Sequence, residues 1–172
     1  MALARSAENL KSSSEKPLAF DVADESGTAA FAGRLAGVLK PGDIVALDGT
    51  LGAGKTALAR ALINALPGET EDVPSPTFTL VQTYVRGDLE IWHFDLYRIE
   101  DPEEAFELGI EDAFSEAVSL IEWPDRLGTL LPSKKLNVRI DEIPTGRRIT
   151  LSGNDDWRAR LETVFAEAAV HE

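Results

Sequence analysis

A glycine-rich segment at residues 49–56, GTLGAGKT, constrains this chain more than any other part of it. The segment fits the pattern GxxxxGK[ST] and lies between the apolar run at residues 44–47 and the helix-forming run at residues 57–62. Glycines permit the positive φ angles that turn several backbone N–H groups toward one point, where they bind phosphate oxygens. A strand, this loop and a helix in that order predict the phosphate-binding loop of a nucleoside triphosphatase.

Each fixed residue of the pattern has a task in this chemistry. The helix that begins near Lys55 directs the positive end of its dipole at the same anion. We expect the Lys55 ammonium to reach the β- and γ-phosphates and the Thr56 hydroxyl to be a magnesium ligand. The alternative is a glycine-rich turn between a strand and a helix, with an exposed lysine.

Two acidic residues at predicted strand ends are candidates for the rest of the site. Glu122 ends the apolar strand at residues 117–122, where it would hold the metal ion directly or through water. Asp95 ends the strand at residues 89–95 and would position the attacking water or a metal-bound water. Otherwise, Glu122 is simply a strand-end acid in solvent. The sequence leaves open which acid orients the water.

Four polar residues near these acids have two interpretations each. His93 alternates with Asp95 on one strand face, but a lone histidine is more often packed in a core. Arg98 either stabilises charge in the transition state or pairs with a nearby acid. Ser75 and Thr77, held by prolines, resemble a switch segment that senses the γ-phosphate, or they belong to a rigid surface loop.

The pattern of apolar residues predicts one α/β domain over residues 17–172, preceded by a flexible tail at residues 1–16. The strands at 79–85 and 89–95 are predicted to form an antiparallel hairpin. The other expected strands are at residues 18–22, 43–48, 117–122, 136–141 and 148–151. The expected helices are at residues 26–39, 55–66, 101–108 and 156–169, with a short one after residue 109.

Composition excludes several kinds of function. The chain has no cysteine, so it has no disulfide, no thiolate nucleophile and no zinc–thiolate site. It has no signal-peptide pattern and no apolar run long enough to span a membrane, and we expect a cytoplasmic protein. A formal net charge of −13 argues against direct binding of DNA or RNA, so any RNA is expected to be held by a partner protein.

Other nucleotide motifs are incomplete. Residues 125–128 fit the DxxG of GTPases, but no NKxD follows to read guanine, so ATP is the expected nucleotide. Residues 151–153 match part of a transporter ATPase signature in the wrong order, which we interpret as chance. A small-molecule kinase and a nucleotide-dependent module without hydrolysis are the rival functions. A kinase should have an arginine-rich lid and an acceptor pocket, and the sequence indicates neither. The presence of Glu122 and Asp95 argues against a module without hydrolysis.

Four motifs in order give the chain a more specific resemblance. They are LGAGKT at residues 51–56, SPTF at 75–78, HFDLYR at 93–98 and EWP at 122–124. Together they resemble the TsaE family of bacterial ATPases, which are needed for the threonylcarbamoyladenosine modification of tRNA. The resemblance implies a P-loop NTPase-like three-layer α/β/α sandwich, in which a mixed, mainly parallel sheet carries an antiparallel part.

The resemblance also implies roles for individual residues. Thr56 and Glu122 would hold magnesium, Asp95 would be important for hydrolysis, and Trp123 matches a tryptophan next to the metal glutamate. Glu25 and Arg147 lie where family members contact the nucleotide from the region before the first helix and from a late Gly-Arg segment. The phosphate-binding residues would be Gly49, Leu51, Gly52, Ala53, Gly54, Lys55, Thr56 and Ala57.

Partner proteins follow from the same resemblance. In the family, TsaD transfers threonylcarbamoyl to adenosine 37 of tRNA, TsaB supports TsaD, and TsaE binds that pair. ATP hydrolysis by TsaE would reset the complex between turnovers and would be weak without the partners. The expected function is therefore a magnesium-dependent ATPase that meets tRNA only through its partners.

Overall fold

A seven-stranded sheet is the centre of the protein, in a computed structural model that describes residues 16–170, with side chains through residue 165. The strand order is β1-β7-β6-β2-β5-β4-β3. The strands are β1 (Leu18–Val22), β2 (Ile44–Gly49), β3 (Val81–Arg86), β4 (Leu89–Asp95), β5 (Val118–Glu122), β6 (Leu136–Ile143) and β7 (Gly146–Ser152).

Helices cover both faces of this sheet. They are α1 (Glu25–Ala36), α2 (Lys55–Ala65), α3 (Glu104–Glu107), α4 (Ile110–Glu116), a 3₁₀ helix (Pro124–Leu130) and α5 (Asp155–Val170). One apolar cluster joins α1, α2 and α5 to the sheet, and a second joins α3, α4 and the 3₁₀ helix to its other face. The three-layer α/β/α architecture is therefore confirmed.

The central strands explain the two clusters. Successive side chains of a strand point to opposite faces, so Ile44 on β2 packs in the second cluster while Val45 and Leu47 pack in the first. All four positions from Ile44 to Leu47 are buried. A strand buried on both faces reads as a continuous apolar run, which is how residues 44–47 appear in the sequence.

Antiparallel pairing occurs at both edges of the sheet, which is more than the sequence predicted. The order β6-β2-β5-β4 is parallel throughout, whereas β3 is antiparallel to β4, and β7 is antiparallel to both β6 and β1. The expected hairpin is confirmed as β3–β4. The second hairpin arises because Ile143 pairs with Gly146 across a tight turn, which only antiparallel strands allow.

Several element boundaries differ from the expected ones. Helix α1 begins at Glu25 because the Asp24 side chain accepts a hydrogen bond of 3.0 Å from the Gly27 N–H and caps the helix. Strand β3 begins at Val81 because Leu80 has a φ of 68°, which is not a strand conformation. The 3₁₀ helix at Pro124–Leu130 was not predicted.

The proposed division into a tail and one domain stays a prediction. Residues 1–15 of the expected tail lie outside the described residues. Across residues 16–170, no helix is both long and apolar enough to cross a bilayer.

The sheet brings the predicted site residues to one edge. In its register, Leu47 of β2 is opposite Glu122 of β5, and Glu122 is opposite Asp95 of β4. The loop that follows β2 therefore begins beside the carboxyl ends of β4 and β5. In open α/β sheets this edge is where ligands bind.

Candidate functional site

The glycine loop between β2 and α2 has a backbone that only glycine allows at its first position. Gly49 has a φ of 152°, and a Cβ there would lie 2.6 Å from the carbonyl oxygen of Ile140 on β6. Gly54 precedes α2 in the left-handed region with a φ of 110°. The loop is thus fixed by the neighbouring strand at one end and by a glycine turn at the other.

The Lys55 side chain lies inside this loop and is only 5% exposed. Its Nζ donates hydrogen bonds to the carbonyl oxygens of Gly49 at 2.7 Å and Thr50 at 2.9 Å. Burial lowers the pKa of the Lys55 ammonium, although nearby carboxylates, first among them Glu122, oppose that shift. The loop therefore holds a positive charge beside the position where the sequence predicts that a phosphate binds.

Thr56, in the first turn of α2, meets Glu122 at the end of β5. The Thr56 hydroxyl donates to the Glu122 carboxylate, at 2.9 Å from Oε1 and 3.0 Å from Oε2. His93 Nε2 lies 2.6 Å from Oε2 of the same carboxylate. Glu122 is only 3% exposed, and these contacts satisfy a carboxylate that burial would otherwise destabilise.

Asp95 connects the acidic end of β4 to the proline-flanked loop. Its Oδ2 accepts a hydrogen bond of 3.2 Å from the Thr77 hydroxyl, which lies 2.7 Å from the Ser75 hydroxyl. Its Oδ1 accepts one of 3.1 Å from the Tyr97 N–H. Ser75 and Thr77 therefore lie within one chain of contacts that ends at the carboxylate.

Trp123 covers the lysine side of the site. It has a φ of 58°, directly after Glu122 at the end of β5. Lys55 Nζ lies 4.2 Å from its ring centroid, and the Tyr97 ring centroid lies 4.9 Å from it. Arg98, by contrast, does not line this site; its guanidinium lies 4.5 Å from the centroid of the exposed Phe78 ring.

These groups surround a cavity of about 250 Å³, which we call the loop cavity. Its lining includes most of the residues predicted from the sequence to bind nucleotide or metal. The lining residues are Leu51, Gly52, Gly54, Lys55, Thr56, Ala57, Ser75, Thr77, Asp95, Glu122 and Trp123.

A second cavity, of about 280 Å³, adjoins the first, and we call it the hairpin cavity. Gly54 and Ala57 line both cavities. Glu25 of α1 and Arg147 of the β6–β7 hairpin line the second one. Arg147 Nε donates a hydrogen bond of 2.9 Å to the carbonyl oxygen of Ala53, so the hairpin is attached directly to the glycine loop.

Comparison with known proteins identifies the family. Residues 22–149 match the model of the family described as threonylcarbamoyl adenosine biosynthesis protein TsaE. The chain belongs to the TsaE family. The resemblance inferred from the four sequence motifs is confirmed.

Relatives and a solved structure agree with this assignment. TsaE of Rickettsia felis is 42% identical over 126 residues, which are 73% of this chain and 74% of that protein. TsaE of Bacillus subtilis is 35% identical over 161 residues, covering 91% of this chain and 97% of its own length. The crystal structure of Bacillus subtilis YdiB has a TM-score of 0.72 and 31% identity, and covers 91% of this chain and 97% of that one.

In this TsaE family member, the oxygen donors of the loop cavity fit a magnesium ion. Mg²⁺ prefers hard oxygen ligands and keeps several waters, so it is held by one or two protein groups together with substrate phosphates. Thr56 and Glu122 supply such oxygens beside the lysine, and Asp95 lines the same cavity. Among the side chains described, those of residues 16–165, no group of three or more His, Asp or Glu residues could hold a metal ion. The donors suit an ion completed by phosphate and water.

Some residues of this TsaE site were missed from the sequence. Asp24 and Thr28 line the hairpin cavity beside Glu25, and Ile140 of β6 forms part of its wall. Asp24 could have been found from its position as a capping residue just before the expected helix. Nothing in the sequence indicates that Ile140 approaches the glycine loop, because that contact depends on the pairing of β2 with β6.

Proposed function

We propose that this protein is a magnesium-dependent ATP hydrolase that acts in forming N6-threonylcarbamoyladenosine at position 37 of tRNA, together with TsaB and TsaD. One observation carries the proposal: the Thr56 hydroxyl and the Glu122 carboxylate meet at 2.9 Å beside a glycine loop that holds Lys55, in a chain of the TsaE family. In P-loop NTPases, a hydroxyl from the phosphate loop and a nearby carboxylate together hold the magnesium ion that phosphoryl transfer requires.

The glycine loop binds the phosphates in this proposal. The backbone N–H groups of residues 51–57 and the start of α2 bind the phosphate oxygens. Lys55 exchanges its hydrogen bonds to Gly49 and Thr50 for bonds to the β- and γ-phosphates. Because that ammonium is buried, its attraction for phosphate is less screened than that of a surface lysine.

Thr56 and Glu122 would hold the magnesium ion. When bound, the ion neutralises the negative charge that develops on the phosphate oxygens. Glu122 is kept in place for this by the hydrogen bond from Thr56 and by the contact with His93.

Asp95 is the candidate that orients the attacking water. Its carboxylate is already bonded to the Thr77 hydroxyl and the Tyr97 N–H, which fix its direction in the loop cavity. Because Thr77 belongs to the proline-flanked loop, movement of that loop would break or shift its hydrogen bond to Asp95 and so change the orientation of the Asp95 carboxylate. We therefore propose that residues 75–78 act as a switch that responds to the γ-phosphate.

The nucleoside would occupy the hairpin cavity. A ligand whose phosphates lie in the loop cavity extends past Gly54 and Ala57, which both cavities share. Glu25 and Arg147 would contact it there. ATP is proposed as the nucleotide, since the sequence carries no guanine-reading NKxD motif.

The partners would supply what the chain lacks for RNA binding. With a net charge of −13, the protein does not favour a phosphate backbone, so tRNA is proposed to be held by TsaB and TsaD. Hydrolysis is proposed to reset that complex between turnovers in the cytoplasm.

Hydrolysis assays test this function directly. ATP hydrolysis with magnesium is measured for the protein alone and with the TsaB–TsaD pair, with the Lys55→Ala variant as the matched control. We expect weak hydrolysis alone, stimulation by the pair, and loss of both in the variant. A folded protein that binds ATP but is not stimulated by the pair would overturn the tRNA role and favour a small-molecule kinase.

Conservative variants separate the two acids. Asp95→Asn and Glu122→Gln keep the side-chain shape and remove the charge. If Asp95 orients the water, Asp95→Asn retains magnesium-dependent ATP binding but loses about 10²- to 10⁴-fold in kcat. If Glu122 holds the ion, Glu122→Gln raises the magnesium requirement. A variant with undiminished, partner-stimulated turnover would remove that residue from the mechanism.

A further inference from the structure

His93 contacts the site from inside the sheet. It lies on β4, is 0% exposed, and does not line the loop cavity, whereas Glu122 lines it. Its Nε2 lies 2.6 Å from Glu122 Oε2. The carboxylate is therefore between the cavity and the imidazole, so no nucleotide reaches the histidine.

The hydrogen bonding of Glu122 gives His93 a specific task. The Thr56 hydroxyl has one proton, which it shares between Oε1 and Oε2 at 2.9 and 3.0 Å. In the tautomer that carries its proton on Nε2, His93 donates the 2.6 Å hydrogen bond to Oε2. Oε2 therefore has a second contact, from a different element than Thr56, and two contacts from different elements orient a carboxylate better than one.

The second imidazole nitrogen of His93, Nδ1, makes no such contact with any described residue. This atom is buried and bonds to no group among the described residues. A buried polar atom without a partner costs about 1 to 3 kcal/mol, which an apolar residue of similar size would avoid. A residue kept only to fill the core would not carry that cost.

We propose that His93 is a positioning residue that fixes the Glu122 carboxylate so that its remaining lone pairs face the loop cavity, where magnesium would bind. This rests on the proposed function of Glu122 as a magnesium ligand. Groups that orient metal ligands typically contribute 10- to 100-fold to metal affinity. His93 touches neither nucleotide nor metal, and it acts only through Glu122.

Two polar variants of similar size test the proposal. In His93→Gln the amide nitrogen replaces Nε2 and keeps the donor to Glu122; in His93→Asn the side chain is too short to reach it. ATP binding is measured by calorimetry with magnesium and with EDTA. We expect His93→Asn to lose about tenfold of the magnesium-dependent gain in affinity and His93→Gln to retain most of it. Binding in EDTA is expected to be unchanged in both.

The outcomes separate this proposal from the proposed function. A wild-type protein without magnesium-dependent ATP binding would overturn the proposed function itself. A wild-type protein that has it, with Asn and Gln variants that bind alike, would overturn only the role of His93. Urea unfolding without metal measures how much stability each variant loses relative to the wild type. If His93 only fills the core, both variants lose stability but keep the wild-type dependence of ATP binding on magnesium.

Discussion

The Arg147 guanidinium, on the turn side of the β6–β7 hairpin, donates a hydrogen bond of 2.9 Å to the carbonyl oxygen of Ala53 in the glycine loop. The same side chain donates to the carbonyl oxygen of Gly146 at 3.2 Å. A strand pair at one side of the sheet is thereby joined to the loop that follows β2. The loop is thus bonded to a residue 94 positions later in the sequence.

Arg147→Met is expected to weaken ATP binding. The variant loses one charge-assisted hydrogen bond to the loop and a cation in the hairpin cavity, which corresponds to about tenfold in affinity. Isothermal titration calorimetry with ATP measures the affinity of each variant. Arg148→Met is the control, since Arg148 pairs with Asp21 on β1 and does not line the hairpin cavity. Equal affinity of both variants would show that the loop holds its shape without Arg147.

The stability difference between the wild-type protein and Lys55→Met is expected to change with pH. Burial holds the pKa of Lys55 below its ordinary value of 10.5, so between the two values the unfolded chain binds more protons than the folded one. Raising the pH through this window therefore stabilises the wild-type protein relative to the variant. Urea unfolding of both proteins from about pH 7 to pH 10 measures this difference.

The exposed Lys134→Met variant controls for the loss of one lysine charge. If the unfolding free energy of the wild type minus that of Lys55→Met stays constant or falls as the pH rises, the expected sign is wrong.

Arg86→Met is expected to destabilise the fold by about 2 to 4 kcal/mol. Its side chain is 1% exposed and lies 2.8 Å from a carboxylate oxygen of Glu71. It also donates to the carbonyl oxygen of Glu69 at 2.6 Å and to Asn64 Oδ1 at 2.9 Å. The variant loses all three contacts of a buried charged donor, and hydrogen bonds from charged groups contribute more than those between neutral groups. Thermal or urea unfolding measures the loss of unfolding free energy, and a loss below about 1 kcal/mol would contradict this prediction.

Arg139→Met is the matched control for Arg86. The Arg139 side chain is 56% exposed and pairs with Asp48 and Asp141 at the surface. Exposed pairs contribute about 0 to 1 kcal/mol, so this variant is expected to unfold almost like the wild type.

Gly49→Ala is expected to be far more harmful than Gly52→Ala. At Gly49 the added Cβ meets the Ile140 carbonyl oxygen at 2.6 Å, so β2 and β6 must separate. Gly52 has a φ of 83° and open space around it, so alanine there has only the backbone cost of about 1 to 2 kcal/mol. Unfolding free energies of the two variants give the comparison, and equal losses would contradict the predicted clash.

The local parts of the fold could be predicted from the sequence. Strand β2, the glycine loop and α2 follow one another within a short stretch, and their apolar periods and glycines are visible in the residues themselves. The β3–β4 hairpin was predicted for the same reason, although Leu80 with its φ of 68° delays the start of β3. Boundaries set by a backbone angle or a cap are not visible in hydrophobic periodicity.

Contacts between distant elements could not be predicted in the same way. The sequence placed His93 and Asp95 on one strand face, but the 2.6 Å contact with Glu122 depends on the register of β4 against β5. The sequence predicted β6 and β7 only as two separate strands. The pairing of β7 with β1 could not be predicted, because β1 comes from the other end of the chain. The resemblance to the TsaE family supplied Glu25 and Arg147, which residue chemistry alone did not.

The hairpin cavity is built from segments far apart in the sequence, with residues 22–28 forming one wall and residues 140–149 another. The loop cavity needs nothing beyond Trp123. During synthesis from the N-terminus, the growing polypeptide therefore contains the whole lining of the loop cavity before β6 and β7 are made. A chain that stops short of β6 carries the glycine loop without the wall at which we propose that the nucleoside binds, and its β2 is left with one neighbour fewer.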